Sequence, residues 1–385
     1  MKDCGLFRHA RLLELREKGR RPDQHFFGGL EAMRGVAALI VALMHMPPLV
    51  REQYIPGLIE NGYLMVPFFF VLSGFVIHLN YFEFIRDGRG LCRFMFLRLG
   101  RLYPVHFIFL LLWLGVEVAR YIAARHYGVH APVTQPFREN SPAAFIEHLF
   151  LVQALGFSNA STFNVPSWSI SVEFYTYFLF ALSVLFARRL FLPLALAIVC
   201  AGLVLLGAQL TGDFGLLVDC ITGFFIGCLI SIVSEHVRPA PLASAIAVTL
   251  FLSILMIRPL PAAWFVIYPL SAALVFSLLN ESGIVTKALM LSPLRWLGRI
   301  SYSLYMSHAL VFWCAGMVLA KLIGADLSLP AEARYQGISP VEAATAYVVI
   351  LGLALMTAAA TYRWVEAPGR RWSRAQTIFR PQLAR

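Results

Sequence analysis

Residues 30–48 read LEAMRGVAALIVALMHMPP, an apolar run that carries an arginine, Arg34, and a histidine, His45, with only ten residues between them. A helix needs roughly 20 residues to cross the hydrocarbon core of a bilayer. At least one of these two ionisable groups is therefore expected at membrane depth. Eleven positions at ~100° each turn the helix about three times and raise it roughly 16 Å, which predicts both side chains on one face. An ionisable residue inside a membrane is costly and marks a functional site by default. The blander alternatives are a snorkelling anchor or an i,i+3 ion pair with Glu31 for Arg34, and a packing histidine near the outer interface for His45.

The rest of the chain repeats this apolar character. Of its 385 residues 59% are hydrophobic and 14% charged, against roughly 45–50% and 25% in soluble domains. The excess must face lipid, which excludes a water-soluble fold. Windows of about 20 residues place spans near 30–48, 62–82, 103–124, 168–187, 190–209, 214–233, 241–257, 262–280, 300–322 and 343–362. The expected fold is an all-α polytopic membrane protein with about ten transmembrane helices. Residues 1–28 are then a basic cytoplasmic tail, 29–365 the transmembrane domain and 366–385 a second basic cytoplasmic tail.

Of the 32 Lys and Arg residues, 24 fall in the two tails and alternate connections, 7 on the opposite side, and Arg34 within the first span. The positive-inside rule puts both termini in the cytoplasm, in the inner membrane of the cell. The net charge of +11 is thus topogenic, and no nucleic-acid partner is expected. The six cysteines show no CxxC spacing, which speaks against a zinc site and a disulfide framework. Walker, GxSxG and HExxH motifs are absent from the sequence. Two extracytoplasmic connections, residues 125–167 and 323–341, are long enough to bind or cover something.

Further polar residues sit in apolar surroundings: Ser73 and His78 in the second span, Ser169, Ser171, Glu173 and Tyr175 in the fourth, and Ser301, Tyr302, Tyr305 and His308 in the ninth. Ser301, Tyr305 and His308 follow i, i+4, i+7 and share a face. A carboxylate such as Glu173 needs a cation or strong donors once removed from water; Arg34 or a histidine could supply them. Arg93, Arg98 and Arg101 lead into the third span. Arg98 and Arg101 are i,i+3 neighbours whose guanidinium forks suit phosphate oxygens, with anionic lipid headgroups as the alternative ligand.

Five stretches in order resemble the acyltransferase 3 family of integral-membrane O-acyltransferases. They are residues 30–45 from Leu30 to His45, 68–75 (FFFVLSGF), 98–104 (RLGRLYP), 166–173 (PSWSISVE) and 300–308 (ISYSLYMSH), with a family-like YRWVEAP at 362–368. Two places depart from the pattern: Pro67 stands where an acidic residue is frequent, and Phe174-Tyr175 replace a frequent Glu-Gln. The resemblance implies an acyl-CoA donor substrate arriving from the cytoplasm, no permanently bound cofactor, and transfer of an acyl group, expected to be acetyl, to a hydroxyl of an extracytoplasmic acceptor such as a carbohydrate or glycoconjugate. It maps catalytic roles onto His45, Arg34 and Glu173, and donor binding onto Arg98 and Arg101, to which Arg93 is added. Ser73, Trp168, Ser169, Tyr302, Tyr305 and His308 are expected to line or support the site. The competing functions are a secondary transporter with an intramembrane His/Glu/Arg relay, and a scaffold whose polar groups only pack helices.

Overall fold

The computed structural model describes residues 27–49, 57–127, 135–158, 160–256, 263–325, 334–335 and 337–376. Nearly all of the first expected basic tail, the end of the second (377–385) and parts of both long connections lie outside the described residues. Among the described residues the chain is helical and contains no strand. The principal helices are α1 (Gly28–Met44), α2 (Met65–Tyr81), α3 (Gly88–Tyr127), α4 (Pro142–Leu149), α5 (Trp168–Ala187), α6 (Phe191–Gly207), α7 (Gly215–Val233), α8 (Ala243–Met256), α9 (Ala263–Ser277), α10 (Ile284–Leu289), α11 (Ser292–Leu322), α12 (Pro340–Thr361) and α13 (Ala367–Ala375).

Among the described residues six helical stretches are long and apolar enough to cross a membrane: Asn61–Tyr81, Gly88–His126, Val165–Gly207, Gly212–Val233, Ser292–Leu322 and Pro340–Ala375. Val165–Gly207 holds two of the expected spans as α5 and α6, joined by the tight turn Arg188–Leu190. The other expected spans correspond to shorter helices, the 17-residue α1, 14-residue α8 and 15-residue α9. Hydropathy windows also understate helix length at polar ends. The 40-residue α3 runs roughly 60 Å, so Arg93, Arg98 and Arg101 are integral to it. The stretch after residue 366 begins as α13, laid against α3 through a Phe96–Trp372 ring contact of 5.6 Å.

Two backbone contacts set the core. At Gly35 an added Cβ would collide with the backbone of Leu297 and Gly298, and one at Gly298 with the carbonyl of Glu31, so α1 and α11 meet glycine to glycine. Gly74 and Gly227 do the same for α2 and α7, against Phe224 and Val71. Apolar packing between membrane helices gains nothing from excluding water, so such close approach carries much of their association. Beside the second contact lies a fully buried aromatic cluster that includes Phe75, Phe94, Phe180, Phe224 and Phe225.

The connection before α5 is a built layer. Ser141 caps α4 by accepting from the Ala144 amide at 3.2 Å, satisfying a donor that a helix start leaves open. Glu117 of α3 accepts from Arg120 (2.6 Å), Asn140 (2.9 Å) and the Phe137 amide (3.0 Å). Asn140 in turn accepts from the Phe163 amide at 2.5 Å. Asn164 donates to the Met306 carbonyl of α11 at 3.0 Å, and Ser171 to the Leu151 carbonyl at 2.5 Å. His148 is wholly buried and bonds Thr162 at 2.9 Å.

Two measurable consequences follow from these contacts. Gly35→Ala and Gly227→Ala should each lower stability by about 1–3 kcal/mol, the usual cost of overpacking; a thermal unfolding series in detergent checks this, and unchanged midpoints would reject the glycine contacts. Burial, assisted by neighbouring His106, pushes the His148 imidazole down to about 3 against the opposing Thr162 bond. Between pH ~6.5 and that value the unfolded segment binds a proton that the folded one does not, so stability falls as pH drops. Amide exchange over residues 142–158, corrected for intrinsic rates, should therefore be faster at pH 5 than at pH 7.

Candidate active site

The glycine contact between α1 and α11 places Arg34. Its Nε donates to Ser301 Oγ at 2.9 Å and its Nη2 to the Gly298 carbonyl at 3.0 Å. The ion pair with Glu31 is also made, at a longer 3.4 Å. Arg34 is thus bound to the opposing helix rather than to Glu173. Glu173 instead accepts from Tyr177 one turn along α5, at 2.6 Å, and Tyr177 shares a 2.9 Å hydrogen bond with Ser73 of α2.

These groups face one cavity of about 810 Å³, whose wall includes Arg34, Ser73, Arg98, Arg101, Ser169, Glu173, Tyr177, Ser301, Tyr302 and Tyr305. Arg98 is held firmly: its guanidinium lies 4.7 Å from the centre of the Tyr81 ring and donates to the Tyr81 hydroxyl at 2.6 Å. Arg101, one turn deeper, makes no hydrogen bond or ion pair among the described residues, and Glu173 and Glu366 lie within its electrostatic reach. Tyr302 fixes α11 to α3 through the Leu102 carbonyl at 2.6 Å, and Tyr305 fixes α11 to α5 through Ser169 at 2.9 Å.

Beyond Tyr305 lie the two histidines. Their ring centroids are 5.1 Å apart at 48°. Each Nδ1 bonds a backbone carbonyl one turn earlier, Val41 for His45 at 2.9 Å and Leu304 for His308 at 3.1 Å. A carbonyl only accepts, so each Nδ1 carries the hydrogen and each Nε2 presents a lone pair. The Nε2 of His308 is buried without a partner among the described residues.

Neither histidine belongs to the cavity wall. Tyr305 stands between: its hydroxyl meets Ser169, and its ring lies 6.0 Å from His308 and 5.9 Å from Phe69. α1 ends at Met44, and His45 caps it in a non-helical conformation and is exposed. Arg34 and His45 thus both meet α11, through Ser301 and His308, as expected for one face, with the arginine in the cavity wall and the histidine outside it.

Two expected residues stand apart. Arg93 donates to the Arg374 carbonyl at 3.1 Å and lies beside the Phe96 ring, which binds α3 to α13. Trp168 packs edge-on against Phe70 at 6.2 Å. Three central groups were not among the expected site residues. Tyr177 links Ser73 to Glu173, and its i+4 spacing from Glu173 was the available signal. Tyr81 cradles Arg98. Glu366, 2% exposed, accepts from Ser303 of α11 at 2.8 Å and pairs with Arg370 at 3.5 Å.

An arginine-bearing cavity inside a bundle of apolar helices, with a histidine pair outside its wall, defines a multi-pass membrane protein with an internal polar cavity. A family model described as an acyltransferase domain matches residues 27–363, and the chain belongs to this acyltransferase 3 family. It is also similar to protein 2 in the picA locus of Rhizobium radiobacter, 29% identical over 152 residues that cover 37% of this chain and 75% of that relative. No solved structure matches.

Proposed function

We propose that this membrane acyltransferase takes an acyl group, acetyl in the simplest case, from acyl-CoA on the cytoplasmic side and passes it to a hydroxyl of an extracytoplasmic carbohydrate or glycoconjugate. The observation that carries this is the order of groups along α11. Ser301 holds Arg34 at the cavity, Tyr305 stands in its wall bonded to Ser169, and His308 meets His45 outside that wall. The arginine-rich ends of the helices face the cytoplasm by the positive-inside rule.

Donor phosphates are met by Arg101, whose guanidinium is uncommitted, with Arg98 beside it on the same helix face. The pantetheine arm fills the cavity and presents its thioester to the closed end. Tyr305 and Phe69 move aside to let the acyl group pass. His45, with its lone pair on Nε2, takes the proton of the acceptor hydroxyl as that oxygen bonds the thioester carbonyl carbon. The carbon–sulfur bond breaks, the ester leaves outward and CoA thiolate leaves inward, protonated on release. A positioned base is worth roughly 10²–10⁴ in rate. Arg34 contributes a fixed cation at the cavity wall that attracts the anionic donor, and Glu173 orients Tyr177 and Ser73 on the facing side.

Reconstituted His45→Ala protein should insert and unfold like the parent but transfer labelled acyl groups at least about 10²-fold more slowly; normal transfer would end the assignment of the base. CoA release from acyl-CoA should require an acceptor, which a transport cycle would not. Arg101→Gln, alone and with Arg98→Gln, should raise the donor KM by tenfold or more per lost charge-assisted contact, about 1.4 kcal/mol each, with kcat less affected. An unchanged KM in the double variant would place the donor elsewhere.

A further inference from the structure

A second cleft, of about 710 Å³, opens at the arginine-rich end of the bundle, where the ends of α2 and α7 meet the α5–α6 turn. Its wall carries His78, Glu83, Arg188, Arg189 and Glu235 among apolar side chains. Some of these charges are already used. Arg188 donates to the Phe82 and Ile85 carbonyls at 2.8 and 3.1 Å, pairs with Glu83 at 3.0 Å and lies 4.7 Å from the Phe82 ring centre. Three groups are left over. Arg189 and Glu235 make no side-chain hydrogen bond or ion pair among the described residues. His78 is 5% exposed, with Nδ1 on Ser231 at 2.9 Å and a buried Nε2 that has no partner among the described residues.

We propose that this cleft binds the headgroup of an aminophospholipid from the cytoplasmic leaflet. One free cation, one free anion and one unsatisfied ring nitrogen describe a dipolar ligand. A phosphodiester meets Arg189 and accepts from the Nε2–H of His78, with Ser231 donating to Nδ1 in that tautomer. A primary ammonium donates to Glu235, which a quaternary ammonium cannot do. The source is lipid rather than solute because the cleft lies at the level of the helix ends, and the side chains flanking it, Phe186, Leu190 and Val233, are exposed and apolar. Acyl chains running from the headgroup would lie against them. The same helix, α2, serves both spaces: Ile77 lines the large cavity and the next residue, His78, lines the cleft.

The test uses the purified, delipidated full chain in detergent, with thermal stabilisation titrated by phosphatidylethanolamine, phosphatidylcholine and phosphatidylglycerol of identical acyl chains. Phosphatidylethanolamine should half-saturate the shift at a concentration about tenfold or more below the other two, the weight of one charge-assisted bond. Glu235→Gln and Arg189→Gln, both at exposed unpartnered positions, should fold like the parent and lose that preference; His78→Phe should lose it as well. Equal half-saturation by the three lipids, or a preference undiminished in both surface variants, would overturn the proposal. So would glycerophosphoethanolamine competing at the same concentration as the intact lipid, since that outcome identifies a soluble ligand.

Discussion

Inside a bilayer there is no water to complete a hydrogen bond, so every donor and acceptor at that depth must find its partner within the protein. Arg34 is the severest case of this constraint. Its guanidinium is satisfied by a serine hydroxyl and a carbonyl of α11, and both are within reach because Gly35 and Gly298 let the two backbones touch. Enlarging either glycine would separate the two helices and draw Ser301 and the Gly298 carbonyl out of the cation's reach. Stability and charge placement are therefore one problem here, solved by the same contact.

The same constraint explains what could be read from the chain and what could not. Polar residues are so costly in apolar segments that each one stands out, and Ser301, Tyr305 and His308 could be assigned to one helix face by spacing alone. Partners were harder to name. Glu173 invites a cation, yet the nearest donor is a tyrosine on its own helix, and aromatic residues are too common in such spans to signal a bond. Glu366 stood in the quoted YRWVEAP stretch but could be given no partner: it ends a π-helical turn at Tyr362–Glu366, whose extra residue rotates the chain out of the 3.6 period. The side of α12 and α13 that it faces cannot be found by counting.

Boundaries failed where hydropathy and hydrogen bonding diverge. α3 and α11 both extend far past their apolar windows, because arginines at their ends can stay helical while leaving the hydrocarbon. α1 does the reverse and stops one residue short of His45, as two prolines follow closely at Pro47 and Pro48. The imidazole nevertheless stays over the last turn, bonded to the Val41 carbonyl, and meets His308 there. Few site residues depended on the exact number of spans; most depended on which helices touch.

The stopper formed by Tyr305 and Phe69 bears on cell energetics rather than on chemistry. In the proposed cycle the cavity and the histidine pair beyond it become a conduit whenever both rings are displaced together. Ions driven by the membrane potential would exploit any lasting breach, at ~2.3 kcal/mol per charge for each 100 mV. In the proposed cycle these two rings, back in place after each transfer, would keep the bilayer electrically tight.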